Sequence, residues 1–374
     1  MNKRKSTKTS NFGVSKREGH DSSKFYSRKL FQAKTTKKET EIIENDVGKL
    51  LDRIICSDSR DMKIPDSSIH LMITSPPYNV GKKYDENLDL EEYLDLLRSV
   101  FSETFRVLVP GGRACINIAN VGRKPYIPYH KFVIDIMTEI GFLMRGEIIW
   151  NKSAGAGGST AWGSWKSASN PTLRDVHEYI LIFSKNDYSR KSNDKENTIT
   201  RDDFLELTKS IWTFNPESAK RVGHPAPFPI ELPRRLIELY SFQGDVILDP
   251  FCGVGTTCVA SKLTRRHFVG LDTDKTFVKS ANHRILQMES GSIVYERKLA
   301  KSQKERNFIY ITKDARNHFP NANEYFQLSY NNIKLKVKLD ELGRIWLGKS
   351  VIITNSEKIK IEKFNHDEFR LILI

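Results

Sequence analysis

The stretch VILDPFCGVGTTCVASKL, residues 246–263, constrains the fold more than any other. Its apolar run VILD hands over at once to a turn holding Gly253 and Gly255, and a helix begins near Thr256. A short run without polar alternation reads as a strand covered on both faces, and a strand feeding straight into a helix is half of a βαβ unit. The rest of the chain repeats that rhythm. RIICSD (53–58), IHLMIT (69–74), RACINIAN (113–120), GEIIW (146–150), HEYILIFSK (177–185) and HFVGL (267–271) read as strands. Between them LEEYLDLLRSVFSETFRVL (90–108) places Leu90, Tyr93, Leu94, Leu97, Phe101, Phe105 and Leu108 on one helical face, and Pro110-Gly111-Gly112 is expected to end that helix. Further helices are expected over roughly 128–140 and 229–240, after Gly255, and up to about Met288. Strands alternating with helices predict an α/β fold with a largely parallel, doubly wound sheet.

The glycine turn also carries chemistry. Gly253 and Gly255 let a ligand approach the backbone, and the following helix start offers free N–H groups and a positive dipole end. A second strand ends in Asp272, where a carboxylate can hold two ribose hydroxyls. Together these point to a nucleoside-containing cofactor. The dinucleotide fingerprint would need a small residue where Cys258 stands. Asp-Pro-Phe ahead of the turn looks instead like a site for S-adenosyl-L-methionine (AdoMet).

A second motif, TSPPYN (Thr74–Asn79), follows the run IHLMIT. Two prolines cannot continue a sheet and stiffen the chain at its end. The exocyclic amine of cytosine or adenine is a poor nucleophile because its lone pair is delocalised into the ring. Two acceptors, the Ser75 hydroxyl and the Pro76 carbonyl, would turn that nitrogen toward tetrahedral geometry. Pro76 and Pro77 would fix them, and Tyr78 would stack on the base. A base inside a duplex must first be extruded.

TSPPYN with DPFCGVGTT resembles the amino-group DNA methyltransferases, which methylate cytosine N4 or adenine N6 with AdoMet. The catalytic run precedes the cofactor loop, as in the circularly permuted beta class. The resemblance covers about residues 50–290, including HEYILIFSK and HPAPFPIELPRRLIELYS. It implies a seven-stranded, mostly parallel sheet with one antiparallel strand. It implies that Asp249, Phe251, Gly253, Gly255 and Thr256 line AdoMet, with Thr74 among the cofactor positions. Asp272 would take the ribose, Asp58 would lie by the adenine ring and Phe228 near the methionine end. Serine before Pro-Pro-Tyr is seen mostly in cytosine-N4 enzymes, so N4 of cytosine in double-stranded DNA is the expected target and adenine N6 the alternative. An RNA methyltransferase or an inactive DNA-binding relative are further alternatives. Glutamine-amide enzymes carry their motif after the cofactor loop. Cytosine-C5 chemistry needs a cysteine after a proline, and none of Cys56, Cys115, Cys252 and Cys258 has one. The class further implies a partner restriction endonuclease in a restriction-modification system.

The chain of 374 residues carries a formal net charge of +14. Residues 1–40 hold twelve Lys/Arg against three acids. This basic arm, taken as 1–48, interleaves Phe25, Tyr26 and Phe31 with Arg17, Lys24, Arg28 and Lys29, a composition suited to phosphate contact and stacking or to packing on the main domain. The methyltransferase domain is expected over 49–295. Within it the Gly/Ser-rich connection 151–176 holds Trp162, Trp165 and Arg174, read either as a DNA-contacting lid or as an anchored loop. The stretch 186–220 matches in position the target-recognition region of the class, where Lys185, Arg190, Lys191 and Arg201 could meet phosphates. Residues 296–374, with the alternating runs IKLKVKL and KIKIEKF, are expected to form a small β-rich appendage. The scattered cysteines are read as buried reduced thiols and not as a metal site. No apolar stretch or leader pattern indicates a membrane, so a cytoplasmic protein is expected.

Overall fold

The computed structural model describes Ser27, Lys29 and residues 44–79, 88–152, 163–216, 228–290, 292–331, 333–349, 351–363 and 368–373. The chain divides into two units, Met1–Ile42 and Ile43–Ile374. In the first, Ser27 and Lys29 are described and exposed. Arg17, Lys24 and Arg28 lie outside the described residues, as does Trp162.

The second unit is built on an eight-stranded sheet. Its strands are β1 (Arg53–Cys56), β2 (Ile69–Thr74), β3 (Leu108–Ile118), β6 (Phe142–Asn151), β7 (His177–Lys185), β8 (Ile211–Thr213), β9 (Val246–Asp249) and β10 (His267–Asp272), while β4 (Val121–Gly122) and β5 (Tyr126–Ile127) form a separate small ribbon. The order is β1-β10-β9-β2-β3-β7-β6-β8. Every neighbouring pair is parallel except those of β7, which runs antiparallel to β3 and β6. A largely parallel sheet with one antiparallel strand is thus as expected. The eighth member is the three-residue edge strand β8, hidden in a polar stretch and recognisable only by Trp212, which is fully buried and donates from Nε1 to the Leu207 carbonyl.

All six residues of β2 and all four of β9 are buried. Helices cover both faces, which is why these strands read as unbroken apolar runs. Helix Leu90–Val107 starts in a capping box, Asp89 accepting from the Glu92 amide and Glu92 from the Asp89 amide. It buries Tyr93, Leu97, Val100, Phe101, Thr104 and Val107. Leu90 lies at its exposed start and Leu108 already belongs to β3. Pro110-Gly111-Gly112 does not follow the helix as a loop. It lies inside β3, where the register with β2 jumps from Ile69↔Leu108 to Leu71↔Arg113, so the extra residues form a bulge. Gly111 sits there at φ +76°, with space for no Cβ against the Ser189 carbonyl.

Residues from 292 onward form a second β structure. Strands β11 (Ser292–Lys298), β13 (Tyr325–Tyr330), β14 (Ile333–Lys338), β16 (Lys358–Lys363) and β17 (Glu368–Leu373) make a sheet in the order β11-β16-β17-β13-β14. Strands β12 (Phe308–Tyr310) and β15 (Arg344–Trp346) pair beside it. This region has its own core, in which Ile309, Leu328, Ile345, Ile353, Ile361 and Phe369 are wholly buried. No helix among the described residues is long and apolar enough to cross a membrane.

Candidate active site

β2 and β9 are adjacent, Leu71 and Met72 pairing with Ile247 and Leu248. Their C-terminal ends therefore bring the Ser75–Tyr78 corner and the glycine turn side by side, although 175 residues separate Thr74 from Asp249. That pair makes the junction. The Thr74 hydroxyl donates to Asp249 Oδ1 at 2.7 Å, and the Thr257 hydroxyl donates to Oδ2 at 2.6 Å. Burial pushes the Asp249 carboxyl up to about 6, held back by these two hydroxyls and the Phe251 amide. Asp249 is thus a buried pillar joining the two motifs.

In front of it opens a cavity of about 450 Å³. Ser75, Pro76, Pro77 and Tyr78 line it together with Asp58, Phe228, Phe251, Gly253 and Asp272. Thr74, Asp249, Gly255 and Thr256 stand behind this wall. Gly255, at φ +79°, caps helix Thr256–Leu263, and a Cβ there would meet the Ala281 Cβ at 2.9 Å. The Asp272 carboxylate accepts from the Gly253 amide at 2.7 Å and from the Asp274 amide at 2.9 Å, and burial raises its pKa. A carboxylate so fixed keeps lone pairs for hydroxyl donors. Asp58 is bound in a fork by Arg60, which holds its pKa down.

Three residues at the site had no role in the sequence reading: Asn117 at the end of β3, Lys152 just after β6 and Glu178 near the start of β7. Glu178 accepts from Asn117 Nδ2 at 2.6 Å, from Lys152 Nζ at 2.5 Å and from the Tyr78 hydroxyl at 3.3 Å. The Tyr78 hydroxyl lies 3.1 Å from Ser75 Oγ, which Asn117 Nδ2 also approaches at 3.4 Å. Burial, then the neighbouring Glu178 carboxylate, raises the Tyr78 pKa well above that of an ordinary phenol, so it remains a proton donor. A carboxylate therefore stands one hydroxyl away from Ser75. The signal in the sequence was faint: a glutamate opening the strand HEYILIFSK, against a lysine directly after GEIIW. Only the β3–β7–β6 pairing brings the two together.

The expected phosphate contacts divide. Trp165 is 64% exposed, and Lys166 lies over its ring. Arg174, Lys191 and Arg201 are exposed. Lys185 and Arg190 are not available. Lys185 is buried and donates to the Leu108 and Arg106 carbonyls, and burial lowers its pKa to about 8. Arg190 pairs with the buried carboxylate of Asp245, which Lys195 also meets at 2.9 Å. Both cations sit where desolvation would be costly without those partners. Of the four cysteines expected to be buried, Cys56, at the end of β1, is instead exposed; Cys115 is buried, and Cys252 and Cys258 are buried against each other, their sulfurs 3.7 Å apart over Gly270.

A parallel sheet with one reversed strand, and a proline corner and glycine turn opening on one cavity, are the features of a nucleic-acid amino-methylase. The DNA methylase family profile matches residues 69–283, more than half of the chain, and the chain belongs to that family. It is 32% identical over 270 residues to the Type II methyltransferase M.MjaI of Methanocaldococcus jannaschii, covering 60% of this chain and 88% of the relative. Among solved structures, the Thermus thermophilus protein TTHA0409 in complex with S-adenosyl-L-methionine is 30% identical, with a TM-score of 0.52 over 63% of this chain and 93% of that one. The PvuII DNA methyltransferase (cytosine-N4-specific), at 21% identity and a TM-score of 0.50 over 62% of this chain and 85% of that one, shares the fold.

Proposed function

We propose that this chain methylates the N4 amine of a cytosine flipped out of double-stranded DNA, with AdoMet as donor, as the modification half of a restriction-modification system. One observation carries the reading: the Ser75–Tyr78 corner and the Gly253–Asp272 turn open on the same cavity. The residues lining the cavity suit AdoMet: Asp272 and the Gly253 turn would hold its ribose, Phe251 and Asp58 would border its adenine, and Phe228 its methionine end. Bound there, it supplies a methyl group on an electrophilic sulfonium.

The chain's own residues do the remaining work. Ser75 Oγ and the Pro76 carbonyl accept the two N–H bonds of the target amine and direct its lone pair. Tyr78 borders the same space and offers its ring to the extruded base. The alkylated nitrogen must shed a proton. Ser75 Oγ can take it while passing its own to Tyr78, and Tyr78 to Glu178, along links of 3.1 and 3.3 Å. Asn117 and Lys152 hold Glu178 at the end of that chain. A serine corner backed through Tyr78 by the Glu178 carboxylate thus does in three residues what an aspartate at the same place would do in one. By resemblance to the amino-group methyltransferases, in which serine before Pro-Pro-Tyr is seen mostly in cytosine-N4 enzymes, Ser75 favours cytosine over adenine.

The test is incubation of the protein with AdoMet and unmethylated DNA, followed by mass identification of the modified nucleoside. N4-methylcytosine is expected, with Ser75→Ala and Pro76→Ala as controls of sharply reduced turnover. N6-methyladenine would reassign the base. Transfer to RNA and to no DNA would remove the substrate class.

A further inference from the structure

The sheet beyond residue 292 has one face on its own core and one outward. On strands β13 and β14 the inward residues are Phe326, Leu328 and Val337, all buried. The cross-strand pairs Tyr325↔Lys338, Gln327↔Lys336 and Ser329↔Lys334 face the other way. These six positions carry three ammonium groups, an aromatic ring, an amide and a hydroxyl, and no carboxylate. Alternate residues of a strand stand about 6.8 Å apart, so the lysines form a regular row.

Of the other cations on the outward face among the described residues, three are matched and Lys298, across from Lys358, has no acidic partner. Lys358 and Lys360 pair with Glu296, and Arg370 with Glu362. Lys334, Lys336 and Lys338 have no acidic partner among the described residues. Lys336 and Lys338 instead sit over the same Tyr325 ring, 5.1 and 5.7 Å from its centre, and that ring is 59% exposed. Two like charges gathered on one aromatic repel each other unless an anion meets them. β14 is also the edge of its sheet, so nothing in the sheet covers the row from that side.

We infer that the outward face of β13–β14 is a binding surface for the sugar–phosphate backbone of duplex DNA, with Lys334, Lys336 and Lys338 on successive phosphates and Gln327 and Ser329 as neutral donors. The choice of DNA as the polyanion rests on the function proposed above. The contact reads no sequence. It adds salt-dependent affinity to whatever the methylating site provides. Lysines on an edge strand also discourage strand addition from another chain, and that role makes a different prediction: aggregation on neutralisation, with DNA affinity unchanged.

The experiment uses the full chain and a fluorescent random-sequence duplex, titrated over a range of salt. The variant K334Q/K336Q/K338Q is compared with K298Q/K358Q/K360Q, which removes the same charge from the same sheet, including two lysines matched by Glu296. The first is expected to lose at least about tenfold in affinity at low salt, and its plot of log affinity against log salt to flatten by about three, one per lost phosphate contact. The second is expected to change much less. Affinity of the first variant within about twofold of wild type at every salt, an equal loss in both variants, or aggregation with intact DNA binding would each overturn the inference. Methyl transfer is measured on the same preparations. Lysine-dependent duplex binding without transfer to any DNA would remove the proposed activity and keep this surface. Transfer with lysine-independent affinity would do the reverse.

Discussion

Asn117 on β3 donates to the carboxylate of Glu178 on β7 at 2.6 Å, across the antiparallel joint of the sheet. The bond turns the carboxylate toward Tyr78 and, through it, toward Ser75. Glu178→Gln keeps the shape and removes the negative charge. Turnover is expected to fall roughly a hundredfold, the size of effect seen when one preorganised polar group is lost from an active site. AdoMet affinity should stay near wild type. Single-turnover methyl transfer and calorimetric cofactor binding check the two halves separately, and an unchanged rate would remove Glu178 from the proton path.

Asp272 is held by the amides of Gly253 and Asp274 on the glycine-turn side of the cavity. Asp272→Ala is expected to weaken AdoMet by about 1.5–3 kcal/mol, the scale for hydrogen bonds to a charged group. That is roughly ten- to a hundredfold in Kd. Turnover at saturating AdoMet should move far less than in Glu178→Gln. Isothermal titration against AdoMet reads the first quantity and initial rates the second.

Gly270 on β10 lies under the Cys252 and Cys258 sulfurs. A Cβ at that position would come within 2.7 and 2.9 Å of them. Both thiols are buried behind the glycine turn, so neither can move without shifting it. Gly270→Ala is expected to cost about 1–3 kcal/mol, as overpacking of a filled core does. Urea unfolding with an unchanged slope and a lower midpoint would show it. An equal midpoint would mean that the turn is softer than its packing indicates.

Glu44 is held to about 2 by its hydrogen bond to His70 Nε2, assisted by Lys195 and Arg190. The folded value lies below the ordinary 4.5, so its stabilisation is fully present above about pH 4.5 and fades as pH falls toward 2. Glu44 is partly exposed, so the effect is modest. Glu44→Gln should unfold at lower urea than wild type near neutral pH, and the two midpoints should converge in strong acid. A gap that persists at low pH would assign the loss to packing.

The strands HEYILIFSK and VILD have the same limits in the structure as in the sequence, and the glycine turn and proline corner were legible as motifs. These are local matters: a run covered on both faces must be apolar throughout, and a tight turn needs glycine whatever surrounds it. Strand β8 was not legible, because three residues in a polar segment carry no period. Pro110-Gly111-Gly112 misled, because a bulge and a loop use the same residues. Lys185 and Arg190 misled as well, since a cation has the same letter in solvent and beneath a helix end.

By itself the sequence determined the alternation of strands and helices, the class of fold and the two motifs that face the cavity. Only the tertiary structure decided that β2 lies against β9, so that Thr74 and Thr257 share Asp249, and that β3, β7 and β6 lie side by side, so that Asn117 and Lys152 meet Glu178. Strand order follows from how helices pack over a sheet and from which strand ends can be joined across it. That is a property of contacts between residues far apart in the chain, and no local stretch of letters encodes it.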